Sequence, residues 1–537
     1  MADWHSPGVT RIEDVQLLRE VQFPEDAGPL RHPVRPRRFV TIDNFYTATV
    51  YYKGAEVLRM LEAMYGRSGF VRGVRHYLEK MDGRAATVED FLACMEEALG
   101  VDLSAFARWY DEAGTPRLSA RWRHEDGAFV LDLAQERPDG VDEPLVIPVR
   151  LSLLDREAGA PVPSVGPDGR EAVEHVVVLD AFTASFRFGV ASSGGLVPSL
   201  LRGFSAPVLL DAPHTPEDLA FLLARDDDPF ARFDAGQSLA LMALEARYRG
   251  GDGEAERVLS GAFARVLAEL PEDRALAAEL LALPTRNRLA EKVAPFDPLR
   301  VDSSWRGLRR DLAGPLAADL CAALDGIEVP GPWRPEIPDM GARALRARLL
   351  QWLAAASPEE ATARILHLYT RADNLTDRLA ALEPAAFEGL EPAEELLEDF
   401  RRRFGHEPLL LDKWYALQAR REDATAVERV EALSRAPDFL WRNPNRVRAL
   451  FVTFAQANLR GFHRPDGAGY RLLAGAVARI DRDNPQLAAQ LARPLTRFSR
   501  LVEPWCTAMR AALEDLALRP GLSKDLAEIL ARALGRT

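Results

Sequence analysis

Residues 43–54 read DNFYTATVYYKG and gather Phe45, Tyr46, Tyr51 and Tyr52 beside Lys53 and Gly54. A neutral phenol donates a hydrogen bond to a developing oxyanion. A tyrosine hydroxyl near the start of the helix that follows, aimed into a cleft, therefore suits acyl-transfer chemistry. On composition alone, filling a core where loop meets helix is the favoured reading of the same aromatics. A second cluster, NPNRVRAL at 443–450, carries Arg446 and Arg448 two positions apart, so the two do not share a helix face. At most one aims at a concave site, and the other is expected to be solvated. Nine histidines supply no local metal site. None begins HExxH (His406-Glu407 runs into Pro408-Leu409-Leu410), and no two lie three or four apart on one helix. GxSxG, a P-loop and a dinucleotide fingerprint are absent too. The stretch Ser192, Ser193, Gly194, Gly195 reads as a turn.

These residues need elements to hold them. Residues 1 to about 38 read as irregular, because Pro24, Pro29, Pro33 and Pro36 interrupt any period. Helix is expected over 51–65, where Ala55, Leu58 and Leu61 form a stripe widened by Val57, Met60 and Met64. Gly54, near its start, permits close backbone approach. A second helix covers 67–79. Thr87 caps a third, with Asp90 completing a capping box and Phe91, Leu92, Met95 and Leu99 on the buried face. Residues 104–111 give one more short helix.

After Pro116 the period becomes two. Leu118, Ala120 and Trp122 alternate with polar residues, as do Phe129, Leu131 and Leu133. Residues 144–154, 174–180 and the pair Phe186 and Phe188 mark further strands. Turns at Pro138-Asp139-Gly140 and Pro167-Asp168-Gly169 separate them. This predicts a small antiparallel β-sandwich over about 115–210, a spacer with no chemistry of its own. From Pro216 the period is helical: 216–225, 235–248, 252–270, 273–282, 340–356, 358–370, 422–434, 444–458, 470–480, 484–499, 502–516 and 523–534. Short loops imply antiparallel neighbours, and the whole predicts a solenoid-like array with a concave face.

Composition bounds the partners. The 537 residues carry 68 Lys and Arg against 81 Asp and Glu, a net charge of -13, which disfavours general nucleic-acid binding and adhesion to an anionic membrane. No run of 18 apolar residues is present to span a bilayer. Cys94, Cys321 and Cys506 are too scattered for a metal pair or a disulfide framework, which suits a reducing cytoplasm.

Several longer stretches carry a resemblance. They are RIEDVQLLREVQFPEDAGPLRHPVRP at 11–36, NFYTATVYYKGAEVLRM at 44–60, DGRAATVEDF at 82–91 and FARWYDEAGTPRLS at 106–119. NLTDRLAAL at 374–382, FLWRNPNRVRALFVTFAQANLRGFHRPDGAGY at 439–470 and DNPQLAAQLARPL at 483–495 continue the order. In sequence and spacing the chain resembles the C-terminal part of the bacterial aminopeptidase N type, in the M1 (gluzincin) family of zinc metallopeptidases. The implied fold is multidomain. Residues 1–114 form the C-terminal part of a thermolysin-like helical catalytic domain, 115–213 a β-sandwich and 214–537 an all-α superhelical domain.

The resemblance also assigns roles. Tyr51, two positions before the lysine of YxKG, is the implied oxyanion donor. Tyr46 is the implied aromatic wall of the first specificity pocket. Arg448 and Gln486 are implied channel residues that meet the far end of a peptide, a guanidinium being suited to a terminal carboxylate. A further family arginine, four residues after that glutamine, is Gln490 here, which removes one positive charge. The family's HExxH, downstream glutamate ligand and GxMEN segment are missing from the 537 residues. The chain is thus expected to be a C-terminal portion that binds no zinc and is inactive alone. Implied partners are peptides with a free N-terminus and a complementing N-terminal half. The alternative is a catalytically dead helical scaffold or a peptide- or protein-binding module.

Overall fold

The computed structural model of the chain describes residues 7–37, 42–191, 195–329 and 332–536. Ser192, Ser193 and Gly194 of the expected turn lie outside these residues. The chain packs as two units: Met1–Phe39 with Phe45–Gly236, and Val40–Asn44 with Gln237–Thr537.

The first unit opens differently from the irregular segment expected. Helical turns run through Pro7–Leu17, Leu18–Gln22 and Phe23–Asp26. Ile12, Val15 and Leu18 recur every third residue and are fully buried or nearly so. Pro24 sits in the first turn of Phe23–Asp26, where its missing N–H costs nothing. The helix ends at Asp26, and Pro29, Pro33 and Pro36 lie beyond it.

Gly54–Met81 follows and is interrupted at Gly66 (φ 70°, ψ 162°), which separates the two helices expected on either side. Its face of Val57, Met60 and Leu61 is buried. A Cβ placed on Gly54 would meet Val34 Cγ1 at 3.5 Å, an ordinary contact, so the close approach expected there is not made. Val88–Leu99 starts with the expected capping box: the Thr87 hydroxyl accepts from Asp90 N at 3.2 Å, and Asp90 Oδ2 accepts from Thr87 N at 2.9 Å. Of residues 104–111 only Arg108–Asp111 is helical.

Among the described residues ten strands succeed them: β1 (Arg117–Glu125), β2 (Ala128–Glu136), β3 (Ile147–Asp155), β4 (Ala160–Pro161), β5 (Ser164–Val165), β6 (Glu171–Ala172), β7 (Glu174–Leu179), β8 (Thr183–Gly189), β9 (Leu196–Leu200) and β10 (Leu209–Asp211). One sheet has the order β10-β1-β2-β8-β5-β6. The other is β4-β3-β7, with β9 also on β3. Leu118, Ala120, Phe129 and Leu131 of the first sheet pack with Ile147, Val149 and Leu151 of the second, as the alternation predicts. The same core takes in Val57, Met60, Leu92 and Trp109 from the helices. One expectation fails: β10 pairs parallel to β1, with Arg117 opposite Leu209, so the module is not purely antiparallel. β9 is buried along its whole length and β10 is three residues long, so neither shows an alternation to read.

Among its described residues the regular elements of the second unit are helical, apart from an isolated bridge between Phe296 and Leu501. It includes helices absent from the sequence reading: Arg286–Lys292, Pro298–Ala313, Ala317–Asp325, Leu375–Glu388, Ala393–Phe404 and Pro408–Arg420. Charge hides them. Asp302 and Arg309 sit on the buried face of Pro298–Ala313. Asp302 is bound by Arg286 at 2.6 Å, Arg306 at 3.2 Å and Arg460 at 2.6 Å. Glu422 is bound by Arg286 at 2.7 Å and Arg306 at 2.6 Å. Burial pushes the Asp302 carboxyl up, but Arg286 and Arg306 outweigh it and hold the group below its ordinary value. The chain therefore combines an N-terminal helical segment, a small two-sheet β module and a large all-helical array.

Candidate functional site

Residues Thr49–Lys53 form a π-turn: Gly54 N–H reaches back five residues to Thr49 O before the α-helix begins. π-Turns inside helices recur at functional sites because the extra residue re-aims side chains. Here the buried side of the turn is polar. Thr49 donates from both N and Oγ1 to Glu25 Oε1, each at 2.9 Å. Lys53 Nζ donates to Asp26 Oδ2 at 2.9 Å and to Gly114 O at 3.0 Å. Asp26 Oδ1 accepts from Gly114 N at 2.7 Å, and Oδ2 also accepts from Thr115 Oγ1 at 3.0 Å. Gly114 has φ 95°, and a Cβ there would strike Pro138, so glycine is required at this join. One turn onward, Glu56 takes a bidentate pair from Arg11 at 2.7 and 2.5 Å.

Both members of the Lys53–Asp26 pair are buried. Burial pulls the lysine below its ordinary value, opposed by the attraction of Asp26. The sequence reading missed Arg11, Glu25, Asp26 and Glu56. Thr49, Lys53 and Glu56 do fall at helical spacing, but a polar stripe of that kind reads as a solvated face.

With that side fixed, the opposite side is aromatic and open. Tyr51 is 57% exposed, Tyr46 55% and Tyr52 39%, so these rings do not fill a core. Tyr46 and Tyr51 stack with centroids 6.3 Å apart and planes inclined at 24°. The structure thus brings together two of the residues singled out from sequence, side by side on one surface of the first unit.

In the second unit, Arg448–Val452 is another π-turn, closed by Thr453 N–H on Arg448 O. Arg448 is exposed, and its Nη2 donates to Gln490 Oε1 at 3.5 Å. Gln486 is half-buried on the helix Pro485–Ala492, which also carries Gln490. Arg446 is not solvated, as one of the pair was expected to be. It is buried, with Nε on Asp412 and Nη1 on Asp438 O at 2.6 Å, and it ties this turn to Pro408–Arg420.

Metal chemistry finds no support in this residue set. Among the described residues no group of three or more His, Cys, Asp or Glu is placed to hold a metal ion. The zinc implied by resemblance therefore does not fit the residues present. No helix of the described residues is long and apolar enough to cross a membrane.

With this geometry in hand, comparison with known proteins is direct. The model described as "Peptidase family M1 domain" matches residues 5–110. "Domain of unknown function (DUF3458) Ig-like fold" matches 114–213. "Domain of unknown function (DUF3458_C) ARM repeats" matches 216–535. The last of these models covers more than half of the chain, which belongs to that DUF3458_C family, and homology to M1-family aminopeptidases extends over most of its length. More particularly, its similarity is to bacterial aminopeptidase N. It is 40% identical to that of Caulobacter vibrioides, 37% to that of Haemophilus influenzae and 36% to that of Escherichia coli, in each case over 99% of this chain. It spans 61%, 62% and 62% of the length of those relatives. A crystal structure of Legionella pneumophila aminopeptidase A in complex with aspartic acid superimposes with a TM-score of 0.85 at 26% identity. That match covers 95% of this chain and 60% of the other.

Proposed function

We propose that these residues bind and position peptides in the manner of an aminopeptidase N, and that on their own they are a binding module rather than a hydrolase. The observation that carries this reading is the Thr49–Lys53 turn. It spends several buried polar contacts on one side to hold two exposed tyrosines on the other, while no metal-ligating set stands among the described residues. In this reading Tyr51 donates its hydroxyl to the oxyanion of a scissile amide, and Tyr46 walls the pocket for the N-terminal side chain. Arg448 and Gln486 meet the distal end of the peptide. The division into a helical segment at 1–114, a β-sandwich at 115–213 and a superhelical domain at 214–537 belongs to the same proposal. So do a cytoplasmic setting and a complementing N-terminal half that brings the metal.

Two measurements on the purified chain test it. Zinc content by elemental analysis should be far below one ion per chain, with no zinc-dependent release of product from an aminoacyl amide. Calorimetry with a tripeptide should show saturable binding that weakens in the R448Q variant. Stoichiometric, tightly held zinc with hydrolysis overturns the module reading. Absence of peptide binding overturns the positioning roles.

A further inference from the structure

A second feature of the helical unit lies outside these residues. A cavity of about 310 Å³ is lined by Trp305, Trp352 and Phe387, with Arg348, Arg420 and Glu383 among its polar groups. Pockets of this kind, apolar with a few convergent polar groups, are the usual form of a small-molecule site. The two indole donors in its walls are already met. Trp305 Nε1 donates to Pro284 O at 2.7 Å, and Trp352 Nε1 to Leu281 O at 2.9 Å. The rings are thereby fixed and present apolar surface.

The charge on the cavity is unbalanced. Arg309, Arg348 and Arg420 line it against the single carboxylate of Glu383. Arg309 is engaged, pairing with Glu388 and with Gln351 O. Arg348 and Arg420 are held loosely. Arg348 places Nε on Ala278 O at 3.1 Å and Nη1 on Gln351 Oε1 at 3.2 Å. Its Nη2, though, lies 4.0 Å from Glu279, beyond hydrogen-bond length. Arg420 stands 3.7 Å from Glu383, again too far for a hydrogen bond. Burial draws the Arg348 guanidinium below its ordinary value, and a bound anion would relieve that desolvation.

We propose that this cavity binds a small aromatic carboxylate. Its ring packs among Trp305, Trp352 and Phe387, and its carboxylate bridges Arg348 and Arg420. Dispersion and burial supply the affinity of the ring. The two guanidiniums select for the acid, because charge-assisted hydrogen bonds are lost when it is replaced by a neutral amide.

The test uses the full chain, with indole-3-acetate and indole-3-acetamide as probes, read by calorimetry and by tryptophan fluorescence. The acid should bind saturably with one site per chain, and the amide about tenfold or more weaker. R348Q and R420Q should each bring acid binding down toward that of the amide, while R170Q, on the exposed surface of the β module, leaves it unchanged. Arg420 is exposed, so R420Q keeps the test open should R348Q fail to fold. Equal binding of acid and amide, no saturation at millimolar acid, or insensitivity to R420Q each overturns the proposal.

Discussion

The two π-turns that carry the proposed site residues are built from opposite materials. Thr49–Lys53 is held by buried polar and charged groups: Glu25 on Thr49, Asp26 on Lys53, and Arg11 on Glu56 one turn later. Arg448–Val452 is held mainly by apolar packing of Val447, Leu450, Phe451 and Phe454, with Arg446 as its one buried ionic anchor. A buried ion pair adds little net stability, since desolvation offsets the attraction, but it demands its own partner and geometry. Apolar packing stabilises more and dictates less. The difference suggests that orientation is what Thr49–Lys53 must fix, and that Arg448–Val452 needs only to place a long, flexible side chain in the right neighbourhood.

The largest expected effect comes from breaking the charged anchor. D26A leaves the Lys53 ammonium buried without its carboxylate and frees Gly114 N and the Thr115 hydroxyl. A loss of about 3–5 kcal/mol is expected for the first unit, measured by urea unfolding. The double variant D26L/K53M removes both charges and should recover most of that loss. If it does, while Tyr46 and Tyr51 lose their fixed stacking by NMR, the anchor serves orientation. If D26A costs under 1 kcal/mol, the comparison between the two turns collapses.

Acid should act on the other region. His463 lies in the core of the helical unit, its Nδ1 sharing a 2.7 Å hydrogen bond with the Tyr470 hydroxyl. Burial pushes the imidazole down from 6.5 to about 3. The folded state therefore stays neutral while the unfolded state takes up a proton. Stability is lost as pH falls below 6.5, and the loss ends near pH 3. The slope is about 1.4 kcal/mol per pH unit from this one group. H463Q should flatten that slope in unfolding measured between pH 6.5 and 4. An unchanged slope would show that other groups set the acid limit.

These anchors also explain what the sequence could and could not reveal. The Thr87–Asp90 capping box, the alternation along β1 and β2 and the helical period after Pro216 are local patterns, and each corresponds to an element in the structure. The helix over 7–26 was obscured by prolines that lie mostly beyond it. Pro298–Ala313, Leu375–Glu388 and Pro408–Arg420 put Asp302, Arg309, Asp377 and Asp412 on buried faces, which interrupts the apolar stripe, whereas Ala393–Phe404 keeps a plain stripe of Leu396, Leu397 and Phe400 that the sequence reading passed over. The tyrosine cluster could be seen as unusual from its composition, yet composition favoured a core, and the exposure of Tyr46, Tyr51 and Tyr52 goes against that. The deciding facts, Asp26 beneath Lys53 and Glu25 beneath Thr49, join residues more than 20 positions apart. π-Turns leave no spacing signature of their own.

A smaller effect should follow from loosening the first turn without stranding a charge. T49V deletes the hydroxyl that donates to Glu25 but keeps the backbone N–H on the same oxygen. About 1–2 kcal/mol is expected, by thermal unfolding: one of the two hydrogen bonds to Glu25 survives, but the buried Gln22 Nε2 loses Thr49 Oγ1, its acceptor at 3.3 Å. If the turn governs the reach of Tyr51, T49V should weaken binding of a peptide more than its stability loss accounts for.

The smallest structural effect, and the sharpest functional one, belongs to Gln490. It is exposed, and its Oε1 accepts from Arg448 Nη2 at a long 3.5 Å. Replacing it with arginine sets two guanidiniums on facing surface positions, where water and salt screen their repulsion. Stability should therefore move by less than about 0.5 kcal/mol. A peptide carboxylate that meets Arg448 would then gain a second cation. Its affinity should rise several-fold at low ionic strength, and the gain should fade at high salt. The C-terminal amide of the same peptide should show no gain. An equal gain for acid and amide would mean that Arg448 does not face the distal carboxylate. The contrast between an orienting turn and a merely charge-placing one would then have to be redrawn.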